Sequence, residues 1–286
     1  VYFYTVYGIF QHFPLFINKK FNKKCISSIH DLRFLKFETN SLRKYFSKIL
    51  SKYLFKSIVA NSHTILLPSD DLVKLFNENF HHHNVHRSFC IPKLQAIKNT
   101  PSCSIRKIIK EKYFYFPATI NENKNHLVLI DAFSNIFKSY PDVKLYFSGS
   151  NTNSALWCEI EEKIKKLSLD KVVQHLGFIS TNERDVLFEN AVASVFPTKK
   201  ESFNLGIWES FRLNCPVIIS DDPELLEQTH DAALISKVDD YLDLALKMEK
   251  LLLHGKTRDI LKSKGLNRII NIDKQSLLSG WQDDVF

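Results

Sequence analysis

Two glutamates separated by seven residues stand in the segment Pro197-Thr198-Lys199-Lys200-Glu201-Ser202-Phe203-Asn204-Leu205-Gly206-Ile207-Trp208-Glu209, directly after the apolar run Ala193 to Phe196. If a helix begins near Leu205, Glu209 falls in about its first turn and Glu201 in the loop before it, so both carboxylates face one cleft. The backbone N–H groups at such a helix start attract phosphate. A carboxylate beside an anion site needs another purpose, and neighbouring sugar hydroxyls supply one, because Glu accepts from two donors at once. A phosphate flanked by two hydroxyl-rich ends describes a nucleotide sugar.

The elements around this segment alternate. Strands are expected at Tyr113–Phe116, Val143–Ser148, Val172–Leu176, Ala193–Phe196, Pro216–Ile219 and Ala233–Leu234, with helices at Asn125–Lys138, Ser154–Leu167, Glu183–Asn190, Leu205–Leu213, Pro223–Gln228 and Val238–His254. Repeated strand, turn and helix units imply a parallel sheet covered on both faces, with ligands at the carboxyl ends of its strands. Before them, Cys25–Ile29 ends at His30-Asp31 and the apolar run Ile58–Asn61 stops at Ser62-His63, both reading as strand ends. Between these, Leu42 to Lys56 spaces Leu42, Tyr45, Phe46, Ile49, Leu50 and Tyr53 as the apolar face of a helix, with Arg43, Lys44, Lys48 and Lys52 on the wet face. A second helix starts at the N-cap Ser69, carries Asp70 and Asp71 in its first turn and ends near Phe80. The polar, basic stretch from Pro92 to Lys112, with Asn99, Thr100, Pro101 and Ser102 in a row, reads as a linker. His81, His82, His83 and His86 lack a Cys or carboxylate at ligand spacing, so no metal is expected there.

Length and composition agree with this division. A chain of 286 residues suits two domains, and 44% hydrophobic with 24% charged residues excludes disorder, collagen-like repeats and coiled coil. Seven glycines in 286 residues is sparse, against roughly 7% in average proteins, so those present should hold demanding backbone positions. The net charge of +8 favours anionic partners, but no helix-turn-helix, zinc or RNA-binding motif supports nucleic acid. Five cysteines without a close pair fit a reducing, cytoplasmic compartment. The aromatic run Val1 to Phe16 is interrupted by Gly8, Gln11, His12 and Pro14, which argues against a signal peptide and a membrane span. It reads as a buried strand and loop, with a membrane-touching surface as the alternative.

At this point the chain resembles the retaining GT-B glycosyltransferases of family 4, the group 1 and mannosyltransferase-like enzymes of polysaccharide biosynthesis, whose donor-domain signature is Glu, seven residues, Glu. Tyr115-Phe116-Pro117-Ala118-Thr119-Ile120-Asn121-Glu122-Asn123-Lys124-Asn125-His126 looks like the family's strand, loop and Lys-Asn-His segment. Phe147-Ser148-Gly149-Ser150 and Leu176-Gly177-Phe178 match its next strand ends, and Ser220-Asp221-Asp222-Pro223-Glu224-Leu225-Leu226-Glu227 resembles the loop closing on the donor. Ile26-Ser27-Ser28-Ile29-His30-Asp31-Leu32 looks like the acceptor-domain strand end whose histidine faces the transferring sugar; a histidine merely closing a strand is the plainer alternative.

The resemblance implies an α/β GT-B protein with two Rossmann-like domains facing a cleft: 1–91 an incomplete acceptor-side domain, 92–112 a linker, 113–266 the donor domain, and 267–286 a crossover helix whose Trp281 returns toward the first domain. It implies transfer of a hexose, such as mannose, from a GDP- or UDP-linked sugar to a glycan or lipid-linked acceptor, with retention and without a cofactor or an Asp-x-Asp metal site. Its catalytic set is His30, Lys124 and Glu201. Lys124 would neutralise the diphosphate, Glu201 the sugar hydroxyls and Glu209 the ribose. The amides of Asn204, Leu205 and Gly206 beside Phe203 would hold phosphate, and the backbone around Gly149, Ser150 and Gly177 the base. An arginine that many relatives place upstream of Lys124 is missing, which leaves a solvated loop lysine as the alternative there. Relatives commonly have glycine where Ser202 and Asn204 stand, Asn being the milder change because it tolerates left-handed φ. The short segment before His30 implies a truncated or pared-down acceptor domain, and a GT-B protein that binds nucleotide sugar or a partner without turnover is the competing reading. The basic helix Leu42–Lys56 would also suit peripheral contact with anionic membrane.

Overall fold

The structure is a computed structural model that describes residues 2–6, 25–29, 32, 42–87, 102–201 and 203–278. The chain divides into one compact unit of Val1–Cys90 with Ile272–Phe286 and another of Ile91–Asn271.

In the first unit, strands β1 (Tyr2–Val6) and β2 (Cys25–Ile29) precede helix α1 (Leu42–Asn61), strand β3 (Thr64–Leu67), helix α2 (Asp70–Asn79) and strand β4 (Val85–Arg87). The strands pair in parallel in the order β1-β2-β3-β4. β2 and β3 are buried throughout, as central strands covered on both faces are. Two expectations need correction. Ile58–Asn61 is the last turn of α1 and no strand end, because Phe55, Ile58 and Val59 are all buried at helical spacing; the strand follows at Thr64. Ile49 and Tyr53, expected on the apolar face, are exposed at 49% and 73%. α2 forms as its cap predicts, with the Ser69 hydroxyl accepting the Leu72 N–H at 3.2 Å. Within the histidine run His82 accepts the Asn84 N–H on Nδ1 at 3.1 Å and donates from Nε2 to the Ser62 carbonyl at 3.0 Å, while His81 and His83 are exposed.

The second unit contains helix α3 (Cys103–Ile108), strand β5 (Lys112–Pro117), a 3-10 turn (Glu122–Lys124), helix α4 (His126–Ser139), strand β6 (Val143–Ser148), helix α5 (Ser154–Lys166), strand β7 (Val173–His175), helix α6 (Thr181–Asn190) and strand β8 (Ala193–Phe196). It continues with helix α7 (Leu205–Arg212), strand β9 (Val217–Ser220), helix α8 (Pro223–Thr229), strand β10 (Ala233–Ser236), helix α9 (Tyr241–Leu253) and helix α10 (Gly255–Leu278), whose residues from Ile272 onward belong to the first unit. Six parallel strands pair in the order β10-β9-β8-β5-β6-β7. Tyr113, Phe114, Tyr115 and Phe116 of β5 are fully buried, which explains why this strand reads as an unbroken apolar run. The two tyrosines satisfy their hydroxyls inside the core, Tyr113 on the Leu187 carbonyl at 2.8 Å and Tyr115 with the Ser148 hydroxyl at 2.5 Å.

Within the stretch expected as linker, α3 buries Ile105 and Ile108 and packs against α6. At the other end, α10 runs unbroken from Gly255 to Leu278, so no helix break marks the boundary expected at 266/267. Gly265 is accommodated inside it because a Cβ there would lie 2.6 Å from the Phe211 ring of α7. Trp281 lies outside the described residues.

Candidate functional site

The sheet of the second unit reverses its winding at β5. The chain steps outward from β5 through β6 to β7, then returns to β8 on the other side of β5 and continues to β9 and β10. At such a reversal the two flanking loops diverge and open a crevice at the carboxyl ends of the strands. Here those loops follow β5 and β8, and they carry Lys124 and Glu201.

Local chemistry shapes the β5 loop. The Asn121 side chain accepts the Lys124 N–H at 3.2 Å and so closes the 3-10 turn. Asn125 then turns the chain into α4 with φ of 61°, a left-handed value that Asn tolerates. Its buried amide donates to the Pro197 carbonyl at 3.1 Å and to Asp239 at 2.9 Å, and the Lys199 N–H donates to the Asn123 carbonyl at 2.9 Å. Both loops are thereby laced together, and the Lys124 ammonium forms an ion pair with the Glu201 carboxylate. His126, the last residue of the Lys-Asn-His segment, is 1% exposed between the rings of Phe116 and Phe147. Burial pushes its imidazole down to about 3, with His175 and Lys124 acting in the same direction.

The next strand ends are tied by backbone. Gly149 has φ of 139° and its N–H donates to the Gly177 carbonyl at 2.8 Å, while Gly177 itself has φ of 68°. A Cβ on Gly149 would stand 2.5 Å from the Ala118 carbonyl oxygen, so only glycine lets these strand ends close up. Ser150 is exposed, and its carbonyl accepts the Ile120 N–H at 2.9 Å.

At α7 the structure changes two expectations. Asn204 has φ of −113°, so no left-handed residue is needed there; Asn is the N-cap instead, its side chain accepting the Gly206 N–H at 3.0 Å. The Asn204 N–H donates to the Gln228 side chain at 3.0 Å. Two of the amides expected to hold phosphate are thus already engaged. Phe203 stacks on Trp208 with centroids 6.3 Å apart, Leu205 is exposed at 44%, and Ser202 lies outside the described residues.

Among the described residues no hydrogen bond or ion pair joins Glu209 to Lys124 or Glu201. The Glu209 carboxylate receives Arg184 of α6 at 2.6 Å. Burial holds the Glu209 carboxyl above the usual range, Arg184 works against that and Asp185 adds to it. Arg184 lies on the helix expected at Glu183–Asn190, but nothing in the sequence singles it out there: the Ser180–Glu183 capping box fixes where that helix starts, and nothing local aims the arginine at Glu209. Asp222 caps α8 and also receives the Glu201 backbone amide; burial and the neighbouring Glu224 push its carboxyl up. A surface depression of about 400 Å³ lies beside the β5 loop, lined among others by Asn121, Glu122, Asn125, His126, Asn153 and Lys199. Lys124, Glu201, Glu209 and Gly149 are not in its lining. His30 lies outside the described residues. Among the described residues no group of three or more His, Cys, Asp or Glu side chains could hold a metal ion, and no helix is long and apolar enough to cross a membrane.

Comparison with known proteins places this site in context. The chain is 26% identical over 219 residues to the O-antigen chain mannosyltransferase RfbU of Salmonella typhimurium, covering 74% of this chain and 56% of that protein. It is 24% identical over 241 residues to a Campylobacter jejuni N-acetylgalactosamine-N,N'-diacetylbacillosaminyl-diphospho-undecaprenol 4-alpha-N-acetylgalactosaminyltransferase, covering 82% and 62%. The chain therefore spans little more than half the length of these relatives. Among solved structures, sucrose-phosphate synthase of Thermosynechococcus elongatus has a TM-score of 0.76 at 18% identity, covering 99% of this chain and 72% of that one. Anabaena HepE in complex with UDP and glucose also reaches 0.76, at 13% identity, covering 96% and 76%. The architecture is accordingly α/β with Rossmann-like parallel sheets, the GT-B fold. The sequence profile of glycosyl transferases group 1 matches residues 104–268, more than half of the chain and the whole of the sheet with the Lys124–Glu201 pair, so the chain belongs to the glycosyl transferases group 1 family.

Proposed function

We propose that this chain is a retaining hexosyltransferase of family 4 that takes its sugar, with mannose favoured, from a GDP- or UDP-linked donor and passes it to a glycan or lipid-linked acceptor without a metal ion. The observation that carries this reading is the Lys124–Glu201 pair at the winding reversal of the sheet. A cation and a carboxylate are what the two ends of a sugar-diphosphate linkage need: positive charge where the diphosphate departs, and an acceptor for hydroxyls on the sugar. Glu209 in the second turn of α7 supplies a second hydroxyl acceptor, for the ribose. The acceptor hydroxyl attacks the anomeric carbon on the leaving-group face as the bond to the diphosphate oxygen breaks. Its proton leaves with the nucleotide diphosphate, whose negative charge Lys124 stabilises. The two curated relatives are glycosyltransferases by name, one a mannosyltransferase, which favours a hexose donor and an acceptor of the surface-glycan kind.

The test is release of nucleotide diphosphate from GDP-mannose, UDP-glucose and UDP-N-acetylglucosamine in the presence of a chelator, with a polyprenyl-diphosphate-linked glycan as acceptor, together with calorimetry of GDP and UDP. Release from one donor, with the anomeric configuration retained in the product, is expected. If none of these nucleotides binds, the donor-site reading is wrong.

A further inference from the structure

Arg184 sits on α6, the helix before β8, while Glu209 sits on α7, the helix after it. Arg184 Nη2 lies 2.6 Å from Glu209 Oε1, with the arginine side chain 32% exposed and the glutamate side chain 13% exposed. Among the described residues this is the only hydrogen bond or ion pair on the Glu209 carboxylate, so Oε2 keeps its capacity to accept. The groups facing Glu209 are Arg184 and Asp185 from α6 and Tyr115 from β5, and the tyrosine hydroxyl is already engaged with Ser148 at 2.5 Å. Among the described residues Arg184 is therefore the cation set against a carboxyl that burial and Asp185 both drive toward its neutral form. A neutral carboxyl would lose acceptor strength toward a pair of hydroxyls, because a carboxylate offers two oxygens with only lone pairs whereas the acid commits one to a proton.

We infer that Arg184 is a positioning residue: it holds Glu209 by one carboxylate oxygen so that the other is presented, ionised, to the ribose hydroxyls of the donor nucleotide. This rests on the donor-site reading and adds to it a residue outside the Glu-seven-Glu segment. A single charge-assisted contact suits the role, since it supplies the compensating charge and leaves the second carboxylate oxygen open. Nothing in the arrangement requires Arg184 to touch the nucleotide.

The experiment is calorimetric titration of the full chain with GDP and UDP between pH 5.5 and 8, for the parent, Arg184→Met, Arg184→Lys, Glu209→Gln and the Arg184→Met/Glu209→Gln pair. The parent sets the reference curve, which contains the ionisation of the nucleotide's own terminal phosphate at about pH 6, and each variant is read relative to it. Arg184→Met should lose roughly tenfold in affinity at pH 7.5, on the scale of coupling between contacting charged residues. The loss should deepen as pH falls, because Glu209 without its cation protonates at higher pH. Arg184→Lys should recover most of the affinity, and the double variant should bind no worse than Glu209→Gln alone. Equal binding by Arg184→Met and the parent at every pH overturns the inference. So does a pH-independent loss that adds to that of Glu209→Gln, which would mark a merely structural role. If the parent binds neither nucleotide, the donor-site reading falls and takes this inference with it.

Discussion

Lys124 and Glu201 lie 77 positions apart in the chain yet form an ion pair across the loops after β5 and β8. With side chains 21% and 8% exposed, neither has the water to carry its charge comfortably alone. A donor diphosphate and its sugar would offer each a replacement partner of the right kind, the phosphate for the lysine and hydroxyls for the glutamate.

Separate roles follow for the two residues. Lys124→Ala should lower kcat for nucleotide release by roughly 10²-fold or more, the scale of a lost electrostatic stabiliser, with a smaller effect on KM. Glu201→Ala should leave the affinity for the nucleotide diphosphate nearly unchanged while turnover of the whole donor collapses. Steady-state kinetics beside calorimetry separates them, and equal loss of nucleotide affinity in both variants would refute the assignment.

Among the described glycines Gly149 combines a positive φ with the closest backbone approach. Gly149→Ala forces a Cβ against the Ala118 carbonyl oxygen at 2.5 Å on a residue with φ of 139°, which should destabilise the second unit by about 2 kcal/mol or more. Urea denaturation followed by tryptophan fluorescence measures this, and a midpoint equal to the parent's would show that the strand ends are not so closely joined.

Asn204 should be a helix cap before it is anything else. Asn204→Ala removes the acceptor of the Gly206 N–H and should cost about 1 kcal/mol of stability. Asn204→Ser, which can still cap, should recover most of it. An alanine variant as stable as the parent would mean that the cap contributes nothing.

His126 predicts an acid limb. Its imidazole is held at about 3 in the folded chain against an ordinary 6.5. Between those values the unfolded chain binds a proton that the folded chain excludes. The contribution is complete above pH 6.5 and is lost as pH falls toward 3, by up to about 1.4 kcal/mol per pH unit. His126→Leu should therefore flatten the fall of stability between pH 6 and 4 in denaturation midpoints; an unchanged slope would assign it to other groups.

The order of elements in the second unit, the role of Ser69 as a cap and the start of α7 near Leu205 could all be read along the chain, because capping and apolar periodicity are local properties of neighbouring residues. The spacing of Glu201 and Glu209 was equally visible, and with it the kind of ligand to look for. What could not be read were the partners: that Glu201 meets Lys124, and that Glu209 meets Arg184. Those depend on which strands become neighbours, and the order β10-β9-β8-β5-β6-β7 is chosen by the packing of whole helices and sheet faces, not by any segment alone. Likewise Ile58–Asn61 reads locally as a strand end, and the burial of Phe55, Ile58 and Val59 together shows it to be the last turn of α1. Charge meets charge at the end of that process, so the chemistry of the site was legible as residue types while its geometry had to wait for the fold.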